Sequence, residues 1–281
     1  MRLTSLLTAA CLAFSASTPA FADHHGARVD ASNAALEQVL SDKRRDGDRS
    51  RDQYRHPAQT LAFFKVEPQQ TVAEYAPGGG WYTRVIAPYV AHKGKYIALN
   101  FGPSHSVPSK YHESLKAFPT AFPKSVVEQN AVPAGNVAAY TTSDAPEELN
   151  GTVDRVLIIR MMHNMRRWHI ADSELSHIHR LLKDDGLVGI VQHEAPESAP
   201  WSEANGERGY LTKSDVIAMM NLAGFELVDD SNINANPADD ASYEKGVWTL
   251  PPSLAKGDEG RETYNAIGES NRMTLLFRKA N

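Results

Sequence analysis

One stretch, Val72-Ala73-Glu74-Tyr75-Ala76-Pro77-Gly78-Gly79-Gly80-Trp81-Tyr82-Thr83, constrains the fold of this chain more than any other. Thr71, Val72 and Tyr75 are β-formers, which predicts a buried strand over Gln69–Tyr75. Pro77 ends that strand, and the three glycines turn the chain without a Cβ in the way. From Trp81 onward, Val85, Ile86, Tyr89 and Val90 recur at helical spacing. A bare turn between strand and helix lets a ligand approach backbone N–H groups, and the helix start adds partial positive charge. Glu74 closes the strand with its carboxylate at the same cleft. The stretch reads as a ligand cradle.

The rest of the chain repeats the strand–helix alternation. Further strands are expected at Gly94–Asn100, Asn136–Tyr140, Val153–Met162, Leu187–Val191, Phe225–Val228 and Met273–Phe277. Val153–Met162 is the strongest signal and reads as buried on both faces. Helices are expected over Asn33–Leu40, from Pro57 to Pro68, and over Ser109–Phe118. After Ser109–Phe118, Pro119, Pro123 and Pro133 suggest an irregular stretch. Asp172 is expected to cap a helix with the stripe Leu175, Ile178, Leu181 and Leu182. Asp184-Asp185-Gly186 is a turn signal. Thr212 and Asp215 resemble a capping box that opens a helix ending at Gly224. This order predicts an α/β fold, a Rossmann-like doubly wound, mainly parallel sheet. No helix separates the last two strands, so the last one is expected to run antiparallel. The predicted organisation is a helical N-terminal arm over 23–68 and a main domain over 69–281. The mixed-sign run Asp42–Arg55 is expected to be a solvated face of that arm.

Residues 1–22 differ in kind. Arg2, an apolar run from Leu6 to Phe14 and the terminal Ala20-Phe21-Ala22 make a cleavable signal peptide, which predicts a periplasmic protein. The single cysteine, Cys11, falls inside it, so the mature chain lacks disulfides and thiolate chemistry. Cleavage would leave Asp23-His24-His25 at the new terminus, a pattern able to bind Cu(II), although a solvated tail is the plainer expectation. No other stretch is long and apolar enough to span a bilayer. A net charge of −5 leaves no basic surplus for nucleic acid.

The cradle excludes two common ligands. A dinucleotide fingerprint would need a third glycine where Thr83 stands, and an acid where Asn100 closes the second strand. A Walker loop would need Lys-Ser or Lys-Thr after the glycines. What does match is acidic-x-x-x-Gly-x-Gly: Glu74 to Gly80 resembles motif I of class I S-adenosylmethionine (SAM)-dependent methyltransferases. The undecamer Ala73–Thr83, the Arg55-His56-Pro57 triplet and the terminal Glu269–Lys279 stretch are similar to a family of secreted, predicted methyltransferases. The resemblance covers most of the mature chain. It implies SAM as cofactor on Glu74, Gly78, Gly80, Asn100 and Asp144. Ala76 stands where the fuller motif has its first glycine. Asn100 replaces the acid that takes the ribose hydroxyls, and Asp144 sits where an adenine-contacting acid is placed. The helix start at Trp81, Tyr82 and Thr83 would favour the cofactor's carboxylate.

Methyl transfer asks a protein mainly to position two reactants, with a base where the nucleophile needs one. His163 follows the fourth strand and His193 the fifth, at the cleft end of the sheet. An imidazole has the pKa range for a general base near neutral pH. Trp81 and Tyr82 either stack on substrate or pack. Trp201, Tyr243, Trp248 and Tyr264 lie in polar segments, which suggests an aromatic or apolar substrate surface in a long lid-like loop. His163, His169 and His193 lack any metal-binding spacing, so no metal is assigned. Three readings stand: a methyltransferase acting on a small molecule or side chain, an inactive periplasmic binding or sensing protein that keeps the cleft, and, more distantly, a metal-dependent hydrolase using the histidines.

Overall fold

The computed structural model describes residues 33–280. The expected leader over 1–22, Cys11 and the Asp23-His24-His25 terminus lie outside the described residues.

Seven strands form one sheet in the order β3-β2-β1-β4-β5-β7-β6. They are β1 (Thr71–Tyr75), β2 (Lys95–Asn100), β3 (Val137–Thr141), β4 (Val153–Ile159), β5 (Leu182–His193), β6 (Phe225–Ser231) and β7 (Arg272–Lys279). β1 pairs in parallel with β2 on one side and β4 on the other, setting Glu74 beside Ala98 and Leu157. β7 is inserted between β5 and β6 and runs antiparallel to both. The expected doubly wound sheet with an antiparallel last strand is therefore the observed one. Strand order reverses between β1 and β4, and ligands of open α/β sheets settle at that crevice.

The helices are α1 (33–40), α2 (Asp52–Arg55), α3 (Pro57–Phe63), α4 (Thr83–Val90), α5 (His112–Asn130), α6 (Met162–Arg167), α7 (Ala171–Leu181), α8 (Trp201–Ala204), α9 (Lys213–Leu222) and α10 (Arg261–Ile267). Ala73, Tyr75, Val156 and Ile158 bury one face of the sheet against Met165, Leu175, Ile178 and Met220 of α6, α7 and α9. Val72, Ala98, Leu157 and Val191 bury the other against Val85 and Ile86 of α4 and Phe118 of α5. Leu36, Leu61, Phe64 and Val66 of the N-terminal arm join that second core. A Cβ on Gly189 of β5 would lie 2.5 Å from the Phe64 ring, so the arm packs directly on bare backbone.

Several local expectations are corrected. α5 runs unbroken through Pro119 and Pro123. Leu115, Phe118, Phe122 and Val126 form a continuous apolar stripe, and its burial outweighs the two missing N–H groups. Asp172 sits in the first turn of α7, not at its cap, which is Ile170. α3 ends at Phe63, before Pro68, with Lys65 turning the chain at φ 53°. Asp184-Asp185-Gly186 lies inside β5, in a register shift where Val153 pairs with Leu182 and Arg155 with Leu187. Thr212 caps α9 as expected, accepting a hydrogen bond from the Asp215 N–H.

The charge run Asp42–Arg55 is a solvated face only in part: Lys43, Arg44, Asp46 and Arg49 are exposed as expected, whereas other members turn inward. Arg45 and Arg55 are fully buried. Arg45 binds Asp52 at 2.7 Å, Asp48 holds Arg84 at 2.5 Å, and Arg51 and Arg55 both reach Glu269. Alternating charge in sequence became a set of specific clasps because the arm folds back over the glycine turn. Among the described residues no helix is long and apolar enough to cross a membrane.

Candidate functional site

The strand–turn–helix unit forms as its residues dictate. Gly78 and Gly80 take φ +56° and +73°. Ala76 also takes a left-handed conformation, at φ 49°, a region that disfavours any Cβ. A Cβ on Gly79 would meet nothing within 4 Å and one on Gly78 only a carbonyl oxygen 4.0 Å away, so the turn faces open space. A cavity of about 390 Å³ opens there, lined by Gly78, Gly79, Glu74, Trp81 and Tyr82 of the cradle and by His163 and His193. A second cavity of about 400 Å³ adjoins it, sharing Ala76, Gly78, Tyr111, Met161, Asn164 and Trp168 and reaching Asn100. Both volumes fall in the range of small-molecule sites, about 300–1,000 Å³.

The two cavities differ in chemistry. The second is walled by Phe101, Tyr111, Phe118, Phe122 and Trp168, with Phe101 and Trp168 edge-on at 5.2 Å. A flat aromatic group suits it. Asn100 closes β2 at its rim; its Oδ1 accepts the Phe101 N–H at 3.0 Å, which leaves the amide N–H groups to donate. The first cavity is polar and cationic, with Arg51, Arg84, Arg160 and Arg167 in its wall and Glu74 as its one acid.

Glu74 is almost fully buried beneath the start of α4. The Thr83 hydroxyl donates to its Oε2 at 2.7 Å and the Tyr96 hydroxyl at 2.6 Å. Burial raises its pKa to about 7 against the pull of those two donors. Thr83 thus acts on Glu74. Tyr82 and Trp81 line the cavity but are packed in place. The Tyr82 hydroxyl donates to the Arg55 carbonyl, and Trp81 lies between the Arg45 and Arg55 guanidinium groups.

His163 and His193 meet in the first cavity, with ring centroids 5.6 Å apart. Their proton affinity differs from what the sequence suggests. Burial lowers the His163 pKa to about 3 and holds His193 well below its ordinary value, with neighbouring arginines adding to the effect. Both are neutral imidazoles, in the basic form but with weak proton affinity. Gln192 fixes the tautomer of His163. Its amide nitrogen donates to the carbonyls of His193 and Gly209, so its Oε1 must accept, 3.2 Å from His163 Nδ1. His163 then carries its proton on Nδ1 and presents an acceptor at Nε2. His193 Nδ1 shares a 2.6 Å hydrogen bond with Ser270.

Three expected cofactor residues, Gly80, Thr83 and Asp144, do not line either cavity, Thr83 being turned to Glu74. Gly80 stands behind the turn against Arg84 and Thr83, and exposed Asp144 accepts from the Thr141 hydroxyl at 2.6 Å. Of the four loop aromatics, Trp248 alone reaches the cavity, 6.0 Å from His163. Trp201 is exposed beside Arg166, and Tyr243 pairs with Tyr264 at 5.9 Å. Among the described residues no cluster of three or more His, Cys, Asp or Glu is placed to hold a metal. Residues the sequence did not single out are Arg51, Arg160, Arg167, Tyr111, Trp168 and Gln192. Arg160 had a usable signal, since it directly follows the central strand β4. Arg51 had none.

The chain is similar in fold to a candidate sarcosine dimethylglycine methyltransferase from Galdieria sulphuraria, at 15% identity and a TM-score of 0.51, over 87% of this chain and 91% of that one. It is also similar to a geranyl diphosphate methyltransferase solved in complex with GPP and sinefungin, at 15% identity and a TM-score of 0.51, over 79% of this chain and 76% of that one. These likenesses show that the chain shares the Rossmann-like α/β fold of those proteins. No family profile matches the sequence, and no curated protein matches it significantly.

Proposed function

We propose that this protein is a SAM-dependent methyltransferase acting on a small molecule, working in the periplasm after removal of residues 1–22. One observation carries the reading: a bare glycine turn with a buried acid beneath it opens on two adjoining cavities, one aromatic and one polar. That division matches a ligand with a flat base at one end and an amino acid at the other. A Cβ on Gly78 or Gly79 would project into the space such a ligand needs.

The aromatic cavity would hold adenine, with the Asn100 amide donating to the ribose. Glu74 would take the α-amine through Oε1, because Thr83 and Tyr96 occupy Oε2. When bound, SAM supplies an electrophilic methyl group on a sulfonium centre. His163 would accept a hydrogen bond at Nε2 from the N–H or O–H of the methyl acceptor and orient its lone pair. Trp168 and Trp248 exclude water from that side. With its low pKa, His163 orients the acceptor far more readily than it takes up a full proton.

Calorimetric titration of the mature chain with S-adenosylhomocysteine, together with mass spectrometry of any co-purified ligand, tests this. Micromolar heat of binding supports it. The absence of heat with both SAM and its demethylated product would overturn it.

A further inference from the structure

Glu269 is buried and serves three arginines at once, of which Arg51 lines the polar cavity. Arg51 Nε donates to it at 2.6 Å, Arg55 Nε at 3.0 Å and Arg272 Nη2 at 2.9 Å. Arg160 adds a fourth guanidinium, close enough that Arg55 and Arg272 help to lower its pKa. Other arginines nearby are balanced one to one: Arg84 by Asp48 and Arg45 by Asp52. Among the described residues, the cluster of Arg51, Arg55, Arg160 and Arg272 has Glu269 as its single paired carboxylate.

Nothing else in the cavity wall makes up the difference. His163 and His193 are neutral, and Glu74, its pKa raised to about 7 by burial, is held by Thr83 and Tyr96 and is the acid assigned above to the cofactor's amine. Asp239 is turned to Tyr210, Ala241 and Asn271. The guanidinium groups are also short of partners. Arg51 Nη2, both Nη atoms of Arg55, Arg160 Nε and Arg167 Nε are buried without a hydrogen bond to the protein. Buried polar groups are almost always satisfied, and unpaired buried charge is strongly disfavoured. Arg51, Arg160 and Arg167 stand in the cavity wall beside His163 and Trp248. Desolvation holds Arg160 at a pKa of about 9 and Arg55 at about 10, consistent with a cationic site awaiting a counter-charge.

SAM does not supply the missing charge. Its sulfonium and ammonium outnumber its one carboxylate, so it brings net positive charge to a positive wall. If the methyltransferase reading holds, on which this inference rests, a second ligand must be the anion. The geometry points to a methyl acceptor bearing an oxyanion, a carboxylate or a phosphate, held by Arg51 and Arg160 with its nucleophile toward His163. Arginine forks suit such planar or tetrahedral oxyanions. Arg167, stacked between Trp168 at 5.1 Å and Trp248 at 5.3 Å, closes the slot.

The test uses the mature chain, with inorganic phosphate and benzoate as probes at fixed ionic strength. Each is titrated calorimetrically with and without saturating S-adenosylhomocysteine, for the wild type, Arg160→Gln, Arg160→Lys and Arg51→Gln. One probe or both should bind the saturated wild type, and the preferred probe distinguishes phosphate from carboxylate acceptors. Arg160→Gln and Arg51→Gln should weaken that binding by about tenfold or more, with Arg160→Lys intermediate and S-adenosylhomocysteine affinity changed less than about threefold. Equal anion binding in all variants, or no anion binding in the wild type, would overturn the inference. So would mutual exclusion of the anion and S-adenosylhomocysteine, which would assign the arginines to the cofactor's own carboxylate. If S-adenosylhomocysteine fails to bind while the anion still depends on Arg160, the methyltransferase reading falls and the oxyanion site stands. Wild-type additivity of the two ligands is read without any variant, so a variant that misfolds does not spoil the test.

Discussion

Gln192 Oε1 lies 3.2 Å from His163 Nδ1, and both hydrogens of the Gln192 amide are committed to backbone carbonyls. The side chain cannot flip without breaking two hydrogen bonds. A neutral amide therefore sets the imidazole's tautomer where a carboxylate would also have raised its basicity. Gln192→Glu should raise the His163 pKa from about 3 by about one to three pH units, the usual effect of an adjacent opposite charge. Titration of the histidine ring resonances by NMR checks this. An unmoved His163 would show that Gln192 does not set its ionisation.

Glu74→Gln should change the pH dependence of stability in a defined direction. In the folded chain the Glu74 pKa is about 7, against 4.5 ordinarily. The protonated form is favoured by folding, so its contribution is fully present below pH 4.5 and lost as pH rises through 7. Glutamine mimics the neutral acid and can accept from Thr83 and Tyr96. The variant should gain about 3 kcal/mol over the wild type at pH 8 relative to pH 4.5. Urea denaturation at the two pH values measures it. The same variant should bind S-adenosylhomocysteine more weakly by about tenfold, through loss of the charge-assisted bond to the amine.

Gly79→Leu should block the cradle without straining the chain. Its Cβ would meet nothing within 4 Å, and Gly79 is not in the left-handed region, unlike Gly78 and Gly80. Affinity for S-adenosylhomocysteine should fall by about a hundredfold or more, with stability within about 0.5 kcal/mol of the wild type. Gly80 is a poorer site for this experiment, because a side chain there strains the turn and strikes Arg84. Unchanged affinity in Gly79→Leu would remove the turn from the cofactor site.

Ala76→Gly should stabilise the protein by about 1 kcal/mol, since Ala76 holds φ 49° at the cost of a Cβ clash that glycine avoids. The loss of unfolded-state restriction offsets part of the gain. Chemical denaturation gives the sign. A destabilised variant would show that the Ala76 methyl contributes more by packing against the core than it costs in strain.

Sequence alone determined what depends on nearest neighbours. The strand–glycine–helix unit around Glu74, the alternating α/β order, the antiparallel β7 and the place of His163 after β4 all follow from local periodicity and turn chemistry, while His193, expected after the fifth strand, is the last residue of β5. Tertiary structure decided whatever depends on burial and on contacts between distant segments. It carried α5 through two prolines because a buried apolar stripe outweighs two lost backbone bonds. It also made both histidines neutral, because desolvation is a property of the surroundings and not of the imidazole. Arg51 and Arg55 come to share Glu269 across more than two hundred residues of chain, where no pattern of spacing could announce the meeting. Local preference is written residue by residue, whereas the charge balance of a buried cavity exists only once the chain has closed around it.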